Sequence, residues 1–210
     1  LYNMFHFEEG EVFLIDKPLD WTSFDAVNLI RAVIKRYHGI RKLKVGHAGT
    51  LDPLATGLLI VCTGRMTKQI DNFQAQEKVY TGSMLLGQTT PTYDLESEPD
   101  AFYPTENITE EMMEEARKLF IGDIMQRPPK FSAIKIQGKR AFEYARSDEE
   151  VALKERLVHI EDFKLDTTNF PTVNFEVKCS KGTYIRSLVN DFGKALNSGA
   201  CMTSLRRTKI

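Results

Sequence analysis

The stretch Gly46-His47-Ala48-Gly49-Thr50-Leu51-Asp52-Pro53-Leu54-Ala55-Thr56-Gly57 gathers residue types that chemistry requires. Glycines at 46, 49 and 57 let the backbone turn sharply and approach a ligand, and Pro53 stiffens the residue before it. The Asp52 carboxylate is therefore expected on a rigid loop, where it can act as a nucleophile or a base. Asp-Pro is also a common turn former, and spacing alone leaves that structural reading open. Other chemistries lack their residues. There is no G-x-x-x-x-G-K-S/T, no G-x-G-x-x-G, no H-E-x-x-H and no G-x-S-x-G, and His6, His38, His47 and His159 are scattered without ligand spacing. Nucleotide hydrolysis, dinucleotide redox chemistry and zinc catalysis find no support, and no metal is expected. Cys62, Cys179 and Cys201 are odd in number and lack C-x-x-C spacing, which suggests neither a disulfide framework nor a zinc site.

Holding such a loop takes a folded core, and 210 residues with 42% hydrophobic and 27% charged side chains can supply one. The longest apolar run, residues 58–62, falls far short of the roughly 20 residues that cross a bilayer, and the N-terminus is acidic where a signal peptide is basic. A cytoplasmic protein without membrane attachment is expected. Ahead of the loop, a strand over 11–16 ends at Lys17-Pro18. Thr22-Ser23 then caps a helix whose apolar face is Phe24, Val27, Ile30, Val33, Ile34 and Tyr37, with Gly39 as its stop. Behind the loop, 58–63 reads as a buried strand, 78–86 as another, and 109–120 as a helix. Pro128-Pro129 breaks the chain before a strand over 131–136, a turn at 137–138 and a short helix over 140–146. Residues 172–179 alternate Val173, Phe175, Val177 and Cys179 with polar neighbours, as a half-buried antiparallel strand does. A helix over 183–196 and a last strand over 201–207 follow. Strands outnumber helices and do not alternate with them, which predicts an α+β fold with a mixed, mainly antiparallel central sheet flanked by helices.

The 28 basic and 29 acidic residues sum to a net charge of −1, but the signs are segregated. Residues 35–51 hold Lys35, Arg36, Arg41, Lys42 and Lys44 and no acid, whereas 88–116 hold nine acids and no base; after Asp191 every charge is basic. Such a distribution allows a positive face for a polyanion, although charge runs are also ordinary solvated surfaces.

The loop around Asp52 resembles the signature of the bacterial tRNA pseudouridine-55 synthases, the TruB family. Five further stretches agree with that family in order. Asp16-Lys17-Pro18 with Thr22-Ser23 resembles its N-terminal block, and Lys78-Val79-Tyr80 with Leu86-Gly87 its tyrosine strand. Arg127-Pro128-Pro129-Lys130-Phe131-Ser132-Ala133 is similar to its P-P-x-Y/F-S-A segment, Lys181-Gly182-Thr183-Tyr184-Ile185-Arg186 to its K-G-T-Y-I-R motif, and Leu205-Arg206-Arg207 to its closing L-R-R. Ala48 and Phe131 are variants of the family pattern.

The resemblance implies the pseudouridine synthase fold as a single catalytic domain over 1–210, with an RNA-contacting insertion at about 124–155. It implies an enzyme that flips a T-loop uridine (position 55) of tRNA, detaches the uracil and rejoins it through C5, with no cofactor and no metal. Asp52 is then the nucleophile, and Arg186 pairs with it and keeps it ionised. Tyr80 stacks on the uracil, Tyr184 and Leu205 help to line its pocket, and His47 fills the space the uridine vacates. Lys17, Arg41, Lys42, Lys44, Arg206 and Arg207 are expected at the RNA. The expected partner is the tRNA T-arm, met by a monomer with no obligate protein partner. Relatives continue past Arg207 into a C-terminal segment or small RNA-binding domain, absent from this sequence, so a weaker T-arm grip is expected. The alternatives are a catalytically idle tRNA-binding or RNA-folding protein and a guide-RNA-dependent synthase subunit.

Overall fold

The computed structural model describes residues 4–132, 135–136, 139–141, 143 and 153–210. The chain, expected as one domain, divides into two compact units, Leu1–Tyr80 with Leu205–Ile210, and Thr81–Ser204.

In the first unit the strands are β1 (Val12–Lys17), β2 (Val45–Ala48) and β3 (Ala55–Thr63), joined by the last residues of the C-terminal strand β12 (Ala200–Lys209). β3 is central: β1 and β2 pair with it antiparallel and β12 parallel. The registers place Lys17 of β1 and Arg207 of β12 opposite the same residue, Gly57. Gly57 has φ +100°, and a Cβ there would stand 2.2 Å from the Arg207 carbonyl oxygen, so no other residue fits. Between β1 and β2 lies helix α1 (Ser23–His38). It opens with a capping box in which Thr22 and Asp25 exchange hydrogen bonds and closes on Gly39 at φ +70°. α1 buries Ser23, Ala26, Val27 and Ile34. The apolar face expected from sequence is corrected here: Phe24, Val33 and Tyr37 point to solvent. The core gathers on β2 and β3, where Met66, Ile70, Phe73 and Ile210 pack on Ala48, Ile60 and Cys62. A short helix α2 (Ile70–Ala75), not foreseen, supplies two of these.

The second unit holds the sheet β12-β4-β11-β10-β7, with β4 (Lys78–Leu86), β7 (Gly122–Gln126), β10 (Arg156–Asp166) and β11 (Thr172–Cys179). β4 and β12 each begin in one unit and end in the other. Two-residue pairs, β5 (Gln88–Thr89) with β6 (Ala101–Phe102) and β8 (Lys135–Ile136) with β9 (Lys139–Arg140), lie outside this sheet. β10 pairs antiparallel with both β7 and β11. The unit also holds helices α3 (Glu110–Lys118) and α4 (Ile185–Ala195). The rings of Phe163, Phe175 and Phe192, with centroids 5.9–6.4 Å apart, join β10, β11 and α4 in its core. The mixed α/β fold with a largely antiparallel sheet agrees with the sequence reading. The expected helix over 140–146 lies largely outside the described residues, as does much of the expected insertion over 124–155.

Candidate active site

Asp52 stands in a six-residue connection, 49–54, between β2 and β3. This is shorter than the loop read from sequence, because 45–48 and 55–57 are strand. The connection is clamped through its backbone from three directions. From α1, the buried Ser23 hydroxyl accepts from Leu51 N at 2.9 Å and donates to Leu51 O at 3.1 Å. From β12, Arg207 Nη2 donates to Gly49 O at 3.0 Å while its Nε donates to Leu58 O at 2.8 Å. From β1, Lys17 Nζ reaches Pro53 O at 3.4 Å and donates to Pro18 O at 2.8 Å and Trp21 O at 2.5 Å. Asp20 N also donates to Pro53 O at 2.9 Å. Gly49, at φ +95°, lets the loop pass the Arg207 guanidinium, which a Cβ there would approach to 3.3 Å.

Two residues expected at the RNA take part in these contacts. Lys17 is 0% and Arg207 1% exposed, and both donate to backbone carbonyls. Burial pushes the Lys17 ammonium below the ordinary lysine value, and the negative charges of Asp52, Asp20 and Asp25 pull it back up. Lys17 thus supports the loop through carbonyls and senses the Asp52 charge. Arg206 is half-exposed and bidentate to Asp16, with both bonds at 2.9 Å, which leaves its charge largely matched. Arg41, Lys42 and Lys44 are exposed, as an RNA-contacting role requires.

His47 sits on β2 opposite Val61, and its Nδ1 is buried with no hydrogen-bond partner among the described residues. Burial, aided by the Arg207 charge, holds the imidazole below the ordinary histidine value. The folded protein therefore keeps the ring neutral under conditions where the unfolded chain, titrating near pH ~6.5, takes up a proton. Below that pH the unfolded state binds more protons, so stability falls as pH falls. His47→Gln is expected to make the drop in thermal midpoint between about pH 7.5 and about pH 5 shallower than in the parent. A drop of equal size would refute this reading. Tyr80 is buried on β4, and Leu205, opposite Ala55, is buried on β12.

The other motif residues lie in the second unit. Arg186 is the second residue of α4 and is 4% exposed. Its Nη1 donates to Thr92 O at 3.1 Å, its Nη2 to Phe131 O at 3.0 Å, and its Nε stands 3.7 Å from Asp94 Oδ2. Asp94 is itself fixed: its Oδ1 accepts from Thr92 Oγ1 at 2.6 Å and Glu96 N at 3.0 Å. Tyr184, just before α4, is gripped by the buried Gln126, whose amide accepts from Tyr184 N at 2.7 Å and donates to Tyr184 O at 3.0 Å. Ser187 Oγ donates to Arg127 O at 2.7 Å. The start of α4 and the 127–132 segment are therefore one hydrogen-bonded assembly around Arg186. Sequence reasoning missed Asp94 and Gln126. Asp94 lies in the acidic run over 88–116, within which Glu114 and Glu115 pair with Arg117 and Lys118 along α3.

Residues 35–185 match the family model for TruB family pseudouridylate synthase (N terminal domain). The chain is 55% identical over 204 residues to a protein of Parabacteroides distasonis named tRNA pseudouridine synthase B, covering 97% of this chain and 87% of that one. A protein of the same name from Flavobacterium johnsoniae is 54% identical over 203 residues, covering 96% and 89%. Among solved structures, the chain resembles one in the crystal structure of a Cbf5-Nop10-Gar1 complex, with TM-score 0.70 and 30% identity over 97% of this chain. It spans about half, 49%, of that chain.

Proposed function

Because the chain belongs to the TruB family of pseudouridylate synthases, we propose that it converts the T-loop uridine at position 55 of tRNA to pseudouridine, with Asp52 as nucleophile. The observation that carries this reading is the clamped loop. Three buried polar side chains from α1, β1 and β12 hold the backbone around one partly buried carboxylate. Rigid placement of a nucleophile lowers the entropy lost on reaching the transition state. The uridine is flipped from the T-loop, and Asp52 adds to the ribose or to the uracil ring. The bond from C1′ to N1 breaks, the uracil turns, and a bond from C1′ to C5 forms; the bond to Asp52 is released, the C5 hydrogen leaves as a proton and N1 takes up a proton. Tyr80 stacks on the base, with Tyr184 and Leu205 as further uracil contacts and His47 as the neutral ring that occupies the vacated space. Arg186 serves the Asp52 carboxylate as counter-charge, a role proposed from the family motif, and Arg41, Lys42 and Lys44 take phosphates.

The test is incubation with tRNA carrying tritium at uracil C5. Label is expected to enter water without added metal or nucleotide and in excess chelator, and to come from position 55. Retention of all label by folded tRNA would overturn the reading.

A further inference from the structure

Residues 26–51 hold six basic side chains, Arg31, Lys35, Arg36, Arg41, Lys42 and Lys44, and no acid, in a protein whose net charge is −1. Arg31, Lys35 and Arg36 lie on α1, all exposed. The same helix leaves Leu29, Val33 and Tyr37 in solvent, and their four-residue spacing aligns them in one stripe. Tyr37 is 70% exposed, and the Arg36 guanidinium stands 5.5 Å from its ring centroid. Phe24, 58% exposed, has Arg31 at 6.0 Å in the same way. The end of α1 is covered elsewhere, where the Phe7 ring meets His38 at 4.8 Å, so the bare stripe is not a consequence of a helix without neighbours.

Exposed aromatic rings with cations beside them and no acid over 26 residues complement a polyanion that also offers flat faces. An acidic peptide would satisfy the cations but not the rings. A membrane surface would suit both, but the rise of the helix favours RNA. The N-terminus of α1 is tied to the Asp52 loop through Ser23 and Leu51. Lys35, Arg36 and Tyr37 follow Ser23 by 12 to 14 residues, which at 1.5 Å per residue sets them roughly 20 Å along the helix axis. A polynucleotide engaged at Asp52 and extending along α1 meets them in passing.

We propose that the outward face of α1, ending in Lys35, Arg36 and Tyr37, is a second RNA contact that grips tRNA away from the nucleotide undergoing reaction. Tyr37 stacks on an accessible base or sugar face, and Lys35 and Arg36 take backbone phosphates. This rests on the reading of tRNA as substrate. The experiment compares full-length tRNA with an isolated T-arm hairpin, by equilibrium binding across salt concentrations, for the parent, Tyr37→Ala and the Lys35→Ala/Arg36→Ala double variant. Alanine suits an exposed helix position, and circular dichroism checks that each variant folds. Tyr37→Ala is expected to weaken tRNA binding by about five- to tenfold. The double variant is expected to reduce the slope of log affinity against log salt by about 2. Hairpin binding should change by less than about twofold in both, since it lacks the distal contact. Unchanged tRNA affinity and slope would overturn the proposal, as would equal losses on hairpin and tRNA. So would a parent that sediments as a dimer and becomes monomeric in Tyr37→Ala with RNA binding intact, because the stripe then belongs to a second copy. Binding is read without turnover. A parent that releases no tritium yet shows these differences would sink the catalytic reading and leave the contact standing.

Discussion

Asp52→Asn is expected to cut turnover by about ten-thousandfold, the scale on which nucleophiles matter, with tRNA affinity nearly unchanged. The amide has the shape of the carboxylate, and the clamps on the loop all grip backbone: Leu51 through Ser23, Pro53 through Lys17 and Gly49 through Arg207. These clamps do not run through the Asp52 side chain, so they persist in the variant. One side effect follows from the buried ammonium. Lys17 loses the Asp52 charge that offsets its burial, so the variant should unfold at a slightly lower temperature. Single-turnover tritium release, filter binding and thermal unfolding separate the three quantities. A variant that kept a tenth of the parent rate would remove Asp52 from the mechanism, and the same measurement excludes or supports an idle tRNA binder.

The second large effect is expected at Arg186. Lysine keeps the charge but has one nitrogen, whereas the guanidinium reaches Thr92 O, Phe131 O and Asp94 together. Arg186→Lys should lower turnover by at least about a hundredfold through misplacement alone. Asp94→Asn removes one partner of a buried pair and should cost about 3–5 kcal/mol of stability, together with much of the rate. The two substitutions share a partner, so the double variant should fall well short of the product of the single losses in rate. Full activity of the lysine variant, or strict multiplicativity, would show that this assembly does not set the rate.

Strands that follow one rule along their length were legible from sequence. β11 keeps strict alternation through Val173, Phe175, Val177 and Cys179, and the structure buries those four. β10, as long as any strand here, went unread because its register shifts between Ile160 and Asp162. Val158 and Ile160 face inward in one phase and Phe163 in the other. α1 was legible from its caps but not from its face: amphipathic spacing marks a helix without telling which of two apolar stripes is covered. At the site, the sequence pointed to Asp52 and Arg186 by motif. It did not show that Lys17 and Arg207 donate to backbone carbonyls. Gln126 carried no signal at all, since an amide clamping two backbone groups has no spacing rule.

The position of Arg207 in the chain bears on biosynthesis. Its bonds to Leu58 and Gly49 close segments of 149 and 158 residues. Contacts of that separation are among the slowest to form, because the intervening chain must be ordered first. At translation rates of about 5–20 residues per second, the chain that includes Asp52 waits about 8–30 seconds for the residue that completes its clamp. A nascent chain thus carries the Asp52 carboxylate on a loop that is not yet fully held. Any pause before the codon for Arg207 extends the period in which the first unit is unfinished and its central strand β3 lacks its parallel partner.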